Sequence, residues 1–330
     1  MDHALLAAYA RRFGIFIAFL VLCFAASLWN DNFFSEGNLI NVLRQSSING
    51  ILAIGMTFVI LTKGIDLSVG SVVALAGVVS ASFATLSTQM MITDLFGLDI
   101  GAGPHWVGIA IAFGLLAGLL AGVINGVLVA YFSVPAFVVT LGMLSAARGA
   151  TQVFTDGMPV PALSPDYRWI GTGELFGLPS PVIILAVVFL VGWVALTQTR
   201  YGRYVYAVGG NEKSAKTSGI NTRGIILSVY IISGVLAALG GMLLAARTGS
   251  ALVQAGQAYE LDAIAAVVIG GTSLAGGVGT LFGTLVGALI IGVVNNILQL
   301  EGVQAYYQLI IKGGIIVFAV LLDPSRRQGS

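Results

Sequence analysis

An all-α, polytopic membrane helix bundle of about ten transmembrane helices is the fold class that this sequence predicts. Composition, the spacing of apolar runs and the placement of charge carry that expectation. Hydrophobic residues fill 57% of the 330 positions and charged ones only 9%, and the mean hydropathy is +0.97. Soluble domains carry roughly 25% charged residues because water must be satisfied over their whole surface. This chain has too few charges to coat a globule of its size. Its 44 glycines lie well above the usual share of about 7%, as expected where close helix approach replaces the hydrophobic drive that lipid cannot supply. A net charge of +1 leaves no basic face for a nucleic-acid partner.

The apolar runs predict spans near 13–29, 39–62, 67–86, 106–132, 136–154, 181–199, 225–246, 258–269, 280–300 and 306–322, within a single transmembrane domain, 1–330. The first follows Arg11 and Arg12 and holds the lone Cys23, an apolar filler. It reads as a retained span, since every later segment is also apolar. The third opens with Asp66 and Ser68, whose oxygens suit the orphan amides and the dipole of a helix start. In the fourth, Gly114, Gly118, Gly122 and Gly126 share one helix face, and Gly279, Gly283 and Gly287 repeat the device in the ninth. Such stripes favour helix packing within the chain. The eighth run is too short to cross the hydrocarbon core of about 30 Å and reads as a half-helix ended by Gly270 and Gly271.

Charge placement orients the chain. With the N-terminus inside, Arg11, Arg12, Lys63, Arg200, Arg203, Lys213, Lys216, Arg223, Arg326 and Arg327 fall on the cytoplasmic side. The opposite side collects Asp31, Glu36, Asp94, Asp99, Asp156, Asp166, Glu174, Glu260 and Glu301, and Trp29, Trp106 and Trp169 fit its interfacial belt. Both termini are therefore expected in the cytoplasm, segment 155–180 on the opposite side and loop 200–223 in the cytoplasm. Gly122, Asn125 and Leu128 in the fourth span echo Gly292, Asn295 and Leu298 in the ninth. By this topology the two spans run oppositely, the mark of a 5+5 inverted repeat with its site between the halves; chance similarity among segments rich in Gly, Val and Leu is the alternative.

Enzyme chemistry finds little support. His3 and His105 are the only histidines, so no His/Cys metal cluster is expected, and no base is placed to activate a Ser or Thr. The glycine-rich run 270–279 lacks the Lys that a phosphate loop needs. No cofactor of its own is expected. Polar groups at membrane depth are functional candidates by default: Asn125, Asn295, Asn296, Gln45, Ser47, Asp66, Ser68, Asp262 and Lys312. Pairing between Lys312 and a carboxylate is the plainer reading of that charge, and interhelical hydrogen bonding that of the amides. Uncharged donors and acceptors beside small residues suit a neutral polyol, whereas a coupling cation would want rows of acids. In the basic loop, Asn211 is a good N-cap, Glu212 suits the dipole and Gly219 a left-handed C-cap. Together they predict a helix of about two turns, too short to be stable alone.

Several motifs in order carry a resemblance. They are Gly64-Ile65-Asp66-Leu67-Ser68-Val69-Gly70-Ser71, Tyr201-Gly202-Arg203-Tyr204 with Ala207-Val208-Gly209-Gly210-Asn211-Glu212, and Ser218-Gly219-Ile220-Asn221. Tyr259-Glu260-Leu261-Asp262 and Gly270-Gly271-Thr272-Ser273 complete the set. From about Phe33 to Asp323 the chain resembles the bacterial ribose-type ABC permeases, with branched-chain amino-acid permeases as more distant relatives. The resemblance implies alternating access for a ribose-like monosaccharide in the inner membrane. It also implies a cytoplasmic ABC ATPase that binds the ATP, a periplasmic sugar-binding protein and a second permease copy. It implies that loop 200–223 docks on the ATPase through Asn211, Glu212, Lys213, Ser214, Ala215 and Gly219. Lys213 stands where the family's loop motif has its Glu. Other pentoses or hexoses, an autoinducer-type sugar and branched-chain amino acids remain open, as does an ion-coupled secondary transporter.

Overall fold

The computed structural model describes residues 3–85, 88 and 104–321. The expected ends of the third and tenth spans, Leu86 and Leu322, lie outside the described residues, as do Asp94, Asp99, Arg326 and Arg327. Among the described residues the chain forms thirteen helices and one short hairpin: α1 (His3–Trp29), α2 (Glu36–Leu61), α3 (Val69–Ala84), α4 (Pro104–Ala130), α5 (Ala136–Thr155), α6 (Pro165–Thr172), β1 (Glu174–Leu175), β2 (Leu178–Pro179), α7 (Ser180–Gln198), α8 (Arg200–Gly210), α9 (Glu212–Thr217), α10 (Thr222–Thr248), α11 (Tyr259–Ile269), α12 (Leu281–Leu300) and α13 (Ala305–Leu321). Ten of these fall in order on the apolar runs. Six are long and apolar enough to cross a membrane: α2, α4 from Trp106, α5, α7, α10 and α12.

Two helices are short for physical reasons. α11 has 11 residues, roughly 16 Å at 1.5 Å per residue; the Gly270 amide makes its last ladder bond, to the Ala266 carbonyl, and the helix stops where Gly271 takes φ +84°. α3 has 16 residues and starts only after the turn at 62–68. Their first turns approach each other inside the bundle. A side chain at Gly70 would overlap the Gly256 carbonyl and the Glu260 carboxylate.

Long helices pack across the middle of the chain. α10 packs along α3 and α4 of the first half, while α2 packs along α11 and α12 of the second. Glycines make these seams. Gly118 faces the Gly234 carbonyl, Gly122 the Tyr230 carbonyl, Gly77 and Gly241 each other, and Gly287 the Ala266 carbonyl. At each, a methyl group would collide with backbone, so both predicted stripes pack within the chain. The core follows the same axis, since α2 is buried continuously from Ser46 to Leu61. One aromatic departs from the expected belt: Trp106 is 2% exposed, whereas Trp29 and Trp169 are 74% and 50% exposed. Trp106 packs into the bundle because α4 enters it from its first turns.

α7 joins the two ends of the bundle. Its start carries α6 and the hairpin. Its end carries α8 and α9, held by Thr199, whose side chain accepts from the Gly202 amide at 3.3 Å.

Candidate functional site

Where α3 and α11 begin, the bundle holds its polar centre. Asp66 is 2% exposed, and each of its oxygens is satisfied by donors. Oδ1 accepts from the Ser68 amide at 3.0 Å and the Ser68 hydroxyl at 2.6 Å, and Oδ2 from Ser233 of α10 at 2.8 Å. Asn125 of α4 donates to Ser68 Oγ at 2.9 Å. Ser68 therefore makes no side-chain cap on α3, in contrast to the sequence expectation; its hydroxyl is drawn to the carboxylate instead. A buried carboxylate is costly unless hydrogen-bonded, and these donors stand in for the missing cation.

The second half repeats the arrangement with a charge added. Asn295 of α12 donates to Asp262 Oδ2 at 3.1 Å, and Lys312 of α13 pairs with the same oxygen at 2.8 Å. The Lys312–carboxylate pair predicted from sequence is thus present. Asn125 and Asn295, matched in the two motifs, each tie a short helix to its neighbour through an acid or its hydroxyl partner. Both amides leave their oxygens without a partner.

Asn296, Gln45 and Ser47 lie apart, along the α2–α12 seam. Asn296 forms a reciprocal amide pair with Asn38 at 2.7 and 3.0 Å. Ser47 bonds back to the Leu43 carbonyl at 2.7 Å, and Gln45 keeps an unpartnered Oε1.

Sequence reasoning missed two charges at the centre. Glu260, expected on the outer side, sits against Gly70 and interacts electrostatically with Arg148, Asp262 and Asp66. Arg148 of α5 donates to the Val253 and Ala255 carbonyls at 2.7 and 2.9 Å. These carbonyls belong to the irregular segment 249–258, which descends from the end of α10 to the start of α11. Non-helical backbone at membrane depth needs internal partners, and the guanidinium supplies them. The same segment exposes Gln254 and Gln257. Beside it α5 leaves Gly142, Ser145, Gly149 and Gln152 with no close neighbour or largely open. This open face of α5, beside segment 249–258, carries amides and a hydroxyl where lipid would favour only apolar groups.

At the α8–α9 end the predicted short helix is present. Asn211 Oδ1 accepts from the Ser214 amide at 3.0 Å. The other end closes as a Schellman motif: Gly219 has φ +82°, and the Gly219 and Ile220 amides each reach a carbonyl, of Lys216 and Ala215, at 3.1 Å. Ala215 is the buried residue of α9, while Glu212, Lys213 and Ser214 are exposed.

Residues 38–320 match the family described as the branched-chain amino acid transport system permease component. The chain is 47% identical over 315 residues to the ribose import permease protein RbsC of Escherichia coli (strain K12), covering 94% of this chain and 93% of that one. RbsC of Bacillus subtilis (strain 168) is 44% identical over 316 residues, covering 95% and 92%. The galactose/methyl galactoside import permease protein MglC of Salmonella typhimurium is 38% identical over 322 residues, covering 96% and 94%. No solved structure matches.

Proposed function

The chain belongs to the ribose-type branch of this permease family, and from that premise we propose that it moves a ribose-like monosaccharide by alternating access. It is the permease subunit of an ATP-binding-cassette sugar importer in the inner membrane. We further propose that α9 docks on a cytoplasmic ATPase, which binds the ATP, and that a periplasmic sugar-binding protein delivers the solute. No cofactor is assigned to this chain.

The open polar face of α5 beside segment 249–258 carries the reading. A second copy of the chain set against it would enclose a path lined by Gln152, Gln254 and Gln257. Asp66, Ser68, Asn125, Asp262, Asn295 and Lys312 stand behind that path, and Asn296, Gln45 and Ser47 lie toward its α6 end. Neutral amides suit sugar hydroxyls. Asp66 and Asp262 are already engaged, which disfavours an ion-coupled secondary transporter. In proteoliposomes holding the permease, its ATPase and its binding protein, ATP should drive ribose uptake, and Gln257→Leu should lower uptake at least fivefold at unchanged protein level. Uptake that is independent of ATP, or untouched by Gln257→Leu, would remove the reading or its path, respectively.

Both termini and α8–α9 are assigned to the cytoplasm on the distribution of Lys and Arg. With Cys23 replaced by Ser, Asp166→Cys should react with an impermeant maleimide in intact cells and Lys213→Cys only after lysis. Labelling of both from outside would overturn the orientation.

A further inference from the structure

The end of α2, the end of α8 and the α11–α12 loop meet at a junction made almost wholly of backbone. The last carbonyls of α2 have no partner within the helix, as at every helix end, and take their hydrogen bonds from outside it. One of them, that of Leu61, accepts from the Gly277 amide of the α11–α12 loop at 2.9 Å. Gly209 of α8 lies against that carbonyl so closely that a Cβ would overlap it and stand 2.6 Å from the Gly277 nitrogen. Gly277 in turn rests on Gly210, where a Cβ would come within 2.8 Å of the Gly210 nitrogen.

Side chains reinforce the knot. Lys63, held at φ +65°, reaches the Gly210 carbonyl with Nζ at 3.3 Å. Tyr206 donates to the Gly279 carbonyl at 2.9 Å. α8 is therefore tied to both halves of the bundle at once, immediately before Asn211 begins α9.

Each tie leads inward. Beyond Lys63 the chain runs to Asp66 and Ser68, whose bonds reach α4 and α10. Back along the chain from Gly277 lies α11, which carries Asp262 and through it Asn295 and Lys312. Both short helices of the polar centre are one connection away from α8.

We propose that this junction moves as one rigid body and that Gly209 and Gly277 are positioning residues, transmitting displacement of α9 to the starts of α3 and α11 together. The proposal rests on the importer reading above. Because no side chain separates the three backbones, there is no rotamer change to absorb the motion.

Two variants test it in proteoliposomes with the ATPase and binding protein. Gly209→Ala inserts a methyl between Leu61 and Gly277. Expected is normal co-purification of the ATPase, ATP hydrolysis within twofold of wild type, and ATP consumed per ribose raised at least fivefold. An unchanged ratio, or uptake and hydrolysis falling in step, overturns the proposal. Should Gly209→Ala not fold, a Cys23→Ser protein with Lys63→Cys and Gly210→Cys, joined by a short bismaleimide, decides the matter; the Gly210 site has open space for the new side chain. A rigid junction keeps at least half of the unlinked uptake after joining, whereas arrest of transport shows that it must open. Wild-type vesicles in which ATP drives no ribose uptake would instead refute the importer reading.

Discussion

Replacing Lys312 by Met is expected to remove most of the folded protein. Its ammonium is the sole cationic partner of Asp262 among the described residues, at 2.8 Å, and the carboxylate is 2% exposed. Breaking a buried pair from one side leaves an uncompensated charge and costs about 3–5 kcal/mol, a large part of a total stability of roughly 5–15 kcal/mol. Asn295 still donates to the carboxylate, but one amide does not replace a countercharge. Adding Asp262→Asn to Lys312→Met removes the stranded charge and should recover at least half of the loss. The measure is monodisperse protein after detergent extraction, followed across a temperature series. A Lys312→Met protein as stable as wild type would remove the pair from the structural account, as would a double variant no better than the single one.

Gly118→Leu should be comparably damaging, for a steric reason. The Gly118 Cα faces the Gly234 carbonyl and the Ala238 side chain, and a Cβ there would stand 2.5 Å from that methyl. α4 and α10 must separate along their length, and overpacking of this kind costs about 3 kcal/mol or more when backbone has to move. Gly142→Leu is the control, because nothing lies within 4 Å of a Cβ at that position on α5. It should accumulate normally while impairing ribose uptake, since it fills the open face. Equal accumulation of the two variants would show that the α4–α10 seam yields; equal uptake by Gly142→Leu and wild type would place the path elsewhere.

Much of the architecture was legible because lipid leaves a chain few choices. Every backbone group must be paired internally, so each apolar run became a helix, and Gly270 and Gly271 marked the end of α11. α9 was readable to the residue, since its caps are local chemistry: Asn211, Ser214, Gly219 and Ile220 are neighbours in sequence. The matched Asn125 and Asn295 also signalled real structural partners. Their partners were not legible. Nothing local to Ser68 reveals that its hydroxyl bonds Asp66 rather than capping α3; that outcome depends on Ser233, far along the chain. Glu260 looked like an outer-loop acid, because α11 was expected to start at a membrane face rather than inside the bundle. Arg148, inside an apolar run, carried no local hint that it would support segment 249–258. The missed residues are those whose roles come from where α3 and α11 begin.

Two helices that begin inside the bundle also bear on what the membrane can afford to let through. A helix start carries roughly half a positive charge, so a bare cation approaching this centre meets two unfavourable ends. Of the carboxylates at this centre, Asp66 is held by hydroxyl and amide donors, Asp262 by Lys312 and Asn295, and Glu260 lies in the field of Arg148. A sugar has no net charge and is indifferent to both facts. The membrane potential is worth about 2.3 kcal/mol per elementary charge at 100 mV, and a leak of protons or sodium ions would drain it at every opening. The arrangement therefore makes for ion tightness, letting an uncharged solute cross without short-circuiting the energy store of the cell.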